Sequence, residues 1–417
     1  MATSLAEIIV LCLLADWLCR RVRMPGLVGM LLVGMLLGPY VLGMADPDLL
    51  AVGPDLRLIA LIVILLRAGF ELSRATLHRT GARVLLLAFL PATAEGLMIT
   101  LVAPRLLGLS LLEAALLGTV LAAVSPAVVV PAMIRLIKQR RGADKDIPSM
   151  IMAAASVDDI YVIVAHGVVT GIYLGRRVNL ATQLMTVPVS LLLGIGAGLL
   201  AGTLLYKLFD RVNPRATKRV LAILAISILL VRLEHLLAGR VPFAGLVAAM
   251  AIGFVILEKR EHMAHEISAR LAKLWIFAEI VLFAMVGAQV DIGLAWRAGA
   301  AGAGVIALGL VARGCGVLVC LIGSRLNRLE RLFTVVAFLP KATVQAAIGA
   351  APLVAMRAAG FDPAPGELIL AVAVLAILLT APAGAWAIRL LGDRVLAVAP
   401  ASAHDAYAAA VESEPTE

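Results

Sequence analysis

Apolar runs of about 18 or more residues, the length that crosses a ~30 Å hydrocarbon core, recur along the whole of this chain. That repetition makes it an all-α polytopic membrane protein. Composition points the same way: 62% of the 417 residues are hydrophobic and 15% are charged. A soluble chain of this length carries about 25% charged residues. Thirteen transmembrane spans are predicted, near 4–19, 25–43, 56–72, 84–104, 112–136, 147–174, 183–206, 218–236, 242–257, 273–292, 298–322, 330–356 and 367–392. Short polar turns join them, so residues 1–392 read as one membrane unit. The tail 393–417, ending VESEPTE, is acidic and aperiodic and is predicted to be disordered. The first run, Leu5 to Leu18, has neither a basic stretch before it nor a small-residue cleavage site, and reads as a retained helix. Cys12, Cys19, Cys315 and Cys320 fall in or at the ends of apolar spans and read as small hydrophobes rather than as disulfide partners or metal ligands.

The net charge of +9 is a topology signal. Odd-numbered connections and the C-terminal end hold 25 Lys and Arg, among them RRVR (20–23), RLIKQRRGADK (135–145) and RVNPRATKR (211–219). The opposite side holds seven. Because Lys and Arg favour cytoplasmic loops, the N-terminus is expected outside and the C-terminus inside. The basic surplus thus calls for anionic lipid headgroups, and for no nucleic acid.

Four Lys/Arg remain inside the spans: Arg57, Arg67, Arg313 and Lys341. The buried acids are Glu95, Asp158 and Asp159, with Glu71 and Glu279 less deep. A central Asp costs about 2.5–3.5 kcal/mol on insertion, so the adjacent pair in AAASVDDIYVIVAH (153–166) costs roughly 5–7 kcal/mol. Residues of this kind line aqueous cavities or pair with one another, and mark ion or proton pathways. Neighbouring helix positions point about 100° apart, so Asp158 and Asp159 cannot have identical surroundings. One can face a cavity while the other turns to a packed helix and a cationic partner. Burial and a like-charged neighbour both strengthen a carboxylate's hold on a proton, which lets proton and cation compete for one site.

Two spans are interrupted. AVSPAVVVPAMIRL (123–136) contains Pro126 and Pro131, and AFLPKATVQAAIG (337–349) contains Pro340, followed by Lys341 and Thr343. An internal proline removes a backbone hydrogen bond and breaks or kinks the helix. Broken helices at membrane depth line cavities, and their half-helix ends present dipole charge to ions. The interrupted spans are the fifth and twelfth, and Glu95 and Arg313 lie on the fourth and eleventh. That spacing suggests two inverted six-helix repeats joined by one linking helix. It also suggests that Glu95 and Arg313 form an ion pair beside the site.

With VSPAVVVPAM, MAAASVDDI and FLPKATVQAAIG in this order, together with LLRAGFEL and VGAQVDI, the chain resembles the cation:proton antiporter superfamily, in its NHA-type sodium/proton antiporter branch. The resemblance implies thirteen or so helices, with a core domain built on two crossed broken helices and a dimerisation domain. The core is expected within about 56–174 and 273–392, and the dimerisation domain at about 4–43 and 183–257. It further implies a homodimer in a bacterial plasma membrane, exchanging Na⁺ or Li⁺ for H⁺ by elevator-like movement of the core, without a cofactor. Carried over by residue, Asp159 is the principal cation and proton carboxylate and Asp158 its auxiliary. Ser125 and Pro126 stand where better-known relatives have Thr-Asp-Pro, one carboxylate fewer. Lys341 sits where a cation offsets facing half-helix dipoles. Arg313 lies where relatives carry a Lys or Arg.

Other polar residues have plainer readings. His166, two turns beyond Asp159, is expected to be packed and hydrogen-bonded. Glu113 is expected to be a helix N-terminal charge. His262 and His265 are expected on a solvated face, and Glu71 with Arg67 as a local i,i+4 pair. AGAAGAGVIALG (298–309), without a preceding strand, suggests close helix packing rather than a phosphate loop. The rival functions are K⁺/H⁺ exchange or a Kef-like potassium efflux protein, and a membrane-embedded enzyme. The Kef-like protein would bring a nucleotide-binding domain, where only about 25 polar residues follow the last span. The enzyme would bring a DDxxD-like acidic cluster, and the sequence has none.

Overall fold

The computed structural model describes residues 1–22, 24–71, 82–175, 180–237 and 241–398, and each of the thirteen apolar stretches carries helix. In chain order the helices are α1 (Ala2–Arg21), α2 (Gly26–Leu37), α3 (Pro47–Ala51), α4 (Gly53–Glu71), α5 (Ala82–Leu107), α6 (Leu111–Leu121) and α7 (Pro126–Lys138). They continue with α8 (Ile147–Tyr173), α9 (Leu180–Val212), α10 (Ala216–Leu237), α11 (Gly245–Lys259), α12 (Glu261–Ala288) and α13 (Ile292–Cys320). The last four are α14 (Arg328–Ala337), α15 (Thr343–Ile348), α16 (Ala351–Ala358) and α17 (Ala364–Val395). Among the described residues, eight helical segments are each long and apolar enough to cross a membrane. The tail 399–417, the basic residues Arg23, Arg74, Arg79, Arg176, Arg177 and Arg240, and the side chain of Glu71, and with it the Arg67–Glu71 pair, lie outside the described residues.

The fifth and twelfth spans are both broken. Ser110 and Glu113 start α6 with a capping box: the Ser110 N–H donates to Glu113 Oε2 at 2.7 Å, and the Glu113 N–H to Ser110 Oγ at 3.4 Å. The helix stops at Leu121 because Ser125, preceding a proline, is held extended at φ −89°, ψ 113°. Pro126 then takes the first position of α7, where its missing N–H has no helical partner to lose. Pro131 lies inside α7 without breaking it, so Pro126 alone marks the interruption. The twelfth span divides into α14, α15 and α16, and Pro340 lies in the gap between the first two.

Packing sorts the helices into two bodies. One gathers α1, α2, α4 and α9–α12, and the other gathers α5–α8, α13, α14 and α17. The division differs from one drawn at residues 56 and 273, because α4 and α12 pack with α11 and α2. Glycines permit this. A Cβ on Gly69 would run into the Met250 carbonyl oxygen of α11, and one on Gly34 into the Ala284 carbonyl of α12. Gly69→Val is therefore expected to lower the yield of monodisperse protein in size-exclusion chromatography. Gly196→Ala, which meets nothing within 4 Å, should leave it unchanged. Glycines of α13 act similarly in the second body: Gly309 faces Ile99 and Glu95, and Gly316 faces Pro91. The outward faces of α1 and α9 stay apolar, with Val10, Leu14 and Leu18 on one and Leu192, Leu200 and Leu204 on the other exposed.

Candidate ion-exchange site

The two breaks touch. The Ser125 N–H donates to the Pro340 carbonyl at 2.8 Å, and the Thr343 N–H reaches Ser125 Oγ at 3.4 Å. This contact brings the N-terminal ends of α7 and α15 together, two ends carrying partial positive charge. The C-terminal end of α6 lies alongside, with the opposite sign.

Around this crossing sit five buried ionisable side chains: Glu95 from α5, Asp158 and Asp159 from α8, Arg313 from α13, and Lys341 from the second break. Arg313, fully buried, donates through Nη2 to both oxygens of Asp158, at 3.1 and 2.9 Å, and through Nη1 to Glu95 Oε2 at 2.8 Å and to the Ala122 carbonyl. Asp158 Oδ2 also accepts the Val124 N–H at 2.7 Å. Lys341 Nζ donates to the same Glu95 oxygen at 2.6 Å and to the Ala123 carbonyl at 3.1 Å. Two acids and two bases are thereby matched.

Asp159 differs from its neighbour. It is 2% exposed, and its Oδ1 is buried with no hydrogen-bond partner among the described residues. The 100° turn between adjacent positions gives the two different partners: Asp158 is bonded to Arg313 of α13 and to the Val124 N–H just past α6, and Asp159 lies beside that network without a hydrogen bond to it.

A cavity of about 590 Å³ opens between the two bodies, bounded by Pro126, Ala127 and Pro131 of α7 on one side. Its other wall includes Arg20, Arg67, Trp275 and Glu279 from α1, α4 and α12. Arg20 is held by Asp16, at 2.8 Å, which leaves Arg67 and Glu279 as the other charged lining residues.

The structure brings Ser125, Pro340, Lys341, Thr343, Glu95, Arg313 and Asp158 into one cluster, with Asp159 beside it and Pro126 on the cavity wall. Two further members carry no charge. Thr380 Oγ1 accepts the Lys341 N–H at 2.8 Å, and Gln345 Nε2 lies 3.2, 3.4 and 3.0 Å from the carbonyls of Val120, Leu121 and Ala123. Sequence reasoning missed both, since neutral polar residues are unremarkable in membrane helices. The available signal was that Gln345 lies five residues after Pro340, in the short helix that resumes the broken span. His166 is buried and held by Thr119 at 3.0 Å and Thr170 at 3.5 Å. His262 and His265 are exposed, with His262 lying 3.9 Å from Glu266.

Residues 8–391 match the family described as "Sodium/hydrogen exchanger, transmembrane". The chain is 33% identical over 383 residues to Sodium/hydrogen exchanger 9B2 of Homo sapiens, spanning 89% of this chain and 70% of that protein. It is 35% identical over 349 residues to the Xenopus tropicalis protein of the same name, spanning 82% of this chain and 64% of the relative, slightly under two thirds of its length. In structure it is similar to the sodium proton antiporter MjNhaP1 from Methanocaldococcus jannaschii at pH 8, with a TM-score of 0.82 over 94% of this chain and 97% of that one. Identity there is 21%, so the likeness is one of fold.

Proposed function

Because the chain belongs to the sodium/hydrogen exchanger family, a family of transporters and not of enzymes, we propose that it is an antiporter exchanging Na⁺ or Li⁺ for H⁺ at Asp159. The observation that carries this reading is the contrast between adjacent aspartates. Asp158 is filled by Arg313 and a backbone N–H, whereas Asp159 keeps a buried oxygen free of partners. A lone carboxylate in a dry site needs a countercharge, and either a proton or a small cation supplies it. The two cannot occupy it together, and that exclusion couples their fluxes.

Asp158, Glu95, Arg313 and Lys341 form the scaffold of the site and do not exchange ions. Arg313 stays protonated under biological conditions and its two partners hold it in place. Ser125 and Thr343 offer neutral oxygens at the crossing, and the converging half-helix ends complete the electrostatic setting. The cavity between α7 and the α1, α4 and α12 wall is the route from the basic, cytoplasmic side. Movement of the second body against the first then exposes the site to the opposite side, giving alternating access. The first body, with apolar outward faces on α1 and α9, supplies the homodimer contact.

Charge matching also sets stoichiometry. With two acids and two bases already balanced, Asp159 carries one proton in one direction and one monovalent cation in the other. Exchange is then electroneutral. Proteoliposomes given a Na⁺ gradient should acidify or alkalinise, reported by a pH dye, without developing a membrane potential. A Na⁺-driven voltage would mean that a second proton moves, with Lys341 the residue able to carry it.

A further inference from the structure

The α6 terminus ends against a set of donors that all come from the other half of the chain. An α-helix leaves its last four carbonyls without intrahelical partners. Here the carbonyls of its last two residues, and of the two that follow, are met by side chains: the Gln345 amide lies within reach of those of Val120, Leu121 and Ala123, Arg313 donates to that of Ala122, and Lys341 to that of Ala123. They immediately precede Val124, whose N–H binds Asp158 at 2.7 Å, so this row of oxygens ends at Asp158, the residue next to Asp159 in the chain. Arg313 and Lys341 are also tied to Glu95 and Asp158, whereas Gln345 has no side-chain partner among the described residues and serves the carbonyls alone. Three carbonyl neighbours fix the orientation of its amide, because only the NH₂ end can donate to them. The remaining atom, Oε1, is fully buried and unpartnered among the described residues.

We propose that Gln345 determines cation selectivity, by occupying the α6 carbonyls that would otherwise join the shell of the cation at Asp159. The inference rests on the exchange reading above. A row of backbone carbonyls is the ligand set that replaces the hydration shell of K⁺, and the number of oxygens decides between cations of different size. With Val120 and Leu121 engaged by the amide, and Ala123 shared between the amide and Lys341, few neutral oxygens remain: the Ser125 and Thr343 hydroxyls and Gln345 Oε1. A carboxylate with so sparse a set of neutral ligands favours a small cation over a large one. Gln345 is a positioning residue toward the carbonyls, and its Oε1 is the acceptor left for the ion or its water.

The test uses full-length protein in proteoliposomes, with proton exchange driven separately by Li⁺, Na⁺ and K⁺ across a range of pH. Gln345→Met keeps the length of the side chain and removes both N–H donors. It should shift the ratio of the K⁺ and Na⁺ apparent KM values toward K⁺ by about tenfold, with kcat for Na⁺ changed much less. If that variant yields little folded protein, Gln345→Glu carries the test. It has the same shape, lacks the donors once ionised, and should shift the cation preference in the same direction, its added carboxyl altering the pH profile in either case. A folded variant with the native K⁺ to Na⁺ ratio would overturn the inference. Asp159→Asn run in parallel separates the two ideas. Loss of exchange there beside unchanged selectivity at position 345 refutes only the role of Gln345. Retained exchange there refutes the exchange reading itself.

Discussion

Asp159→Asn should abolish Na⁺-driven proton flux and leave the protein at least as thermally stable as the parent. Flux disappears because a neutral amide cannot trade a proton for a cation. Stability holds because the lost charge is the one carboxylate in the cluster with a buried, partnerless oxygen. Removing a desolvated charge that no neighbour compensates relieves a cost instead of creating one. Asp158→Asn should behave in the opposite way. It breaks the two-point contact with Arg313 at 2.9 and 3.1 Å and leaves a buried guanidinium short of its partner. The thermal midpoint should fall, while exchange persists with an altered apparent affinity. Equal and total loss of flux in both variants would mean that the two carboxylates share the cation.

The second large effect is expected at the ion network. Arg313 serves both Asp158 and Glu95, so Arg313→Gln strips Asp158 of its cationic partner and leaves Glu95 with Lys341 alone. Uncompensated buried charge of this kind costs about 3–5 kcal/mol. Glu95→Gln should cost less than Arg313→Gln, because Arg313 keeps Asp158 and Lys341 keeps the Ala123 carbonyl. The double variant should be less damaging than the sum of the two, since each single change already breaks the contact they share. Thermal unfolding in one detergent would measure all three, and simple additivity would show that the two side chains are not coupled.

How much of this was legible in the amino-acid sequence depends on the kind of residue. Charges in apolar helices are conspicuous because nothing else explains their cost, so Asp158, Asp159, Glu95, Arg313 and Lys341 stand out by residue type alone. Prolines located the interruptions, although Pro131, Pro91 and Pro382 lie inside intact helices, and only the local sequence at Ser125–Pro126 and around Pro340 ends one. The shared use of Glu95 by Arg313 and Lys341 was not legible, because it depends on two residues 28 apart in the chain meeting one carboxylate oxygen. Gln345 and Thr380 were hidden for the same reason, with no charge to draw attention to them. The allegiance of α4 and α12 was also beyond reach of span counting. It rests on close approaches at Gly69 and Gly34, and a glycine in an apolar run does not announce which helix it will touch.

Calorimetric titration of Na⁺ into the purified protein, repeated in buffers of different ionisation enthalpy, counts the protons released for each cation bound. If proton and cation compete for the single carboxylate of Asp159, up to one proton should leave per Na⁺, approaching one as the pH is lowered, and the Asp159→Asn protein should neither bind Na⁺ nor release a proton. Na⁺ binding without proton release at every pH tested, or undiminished binding in that variant, would contradict the account.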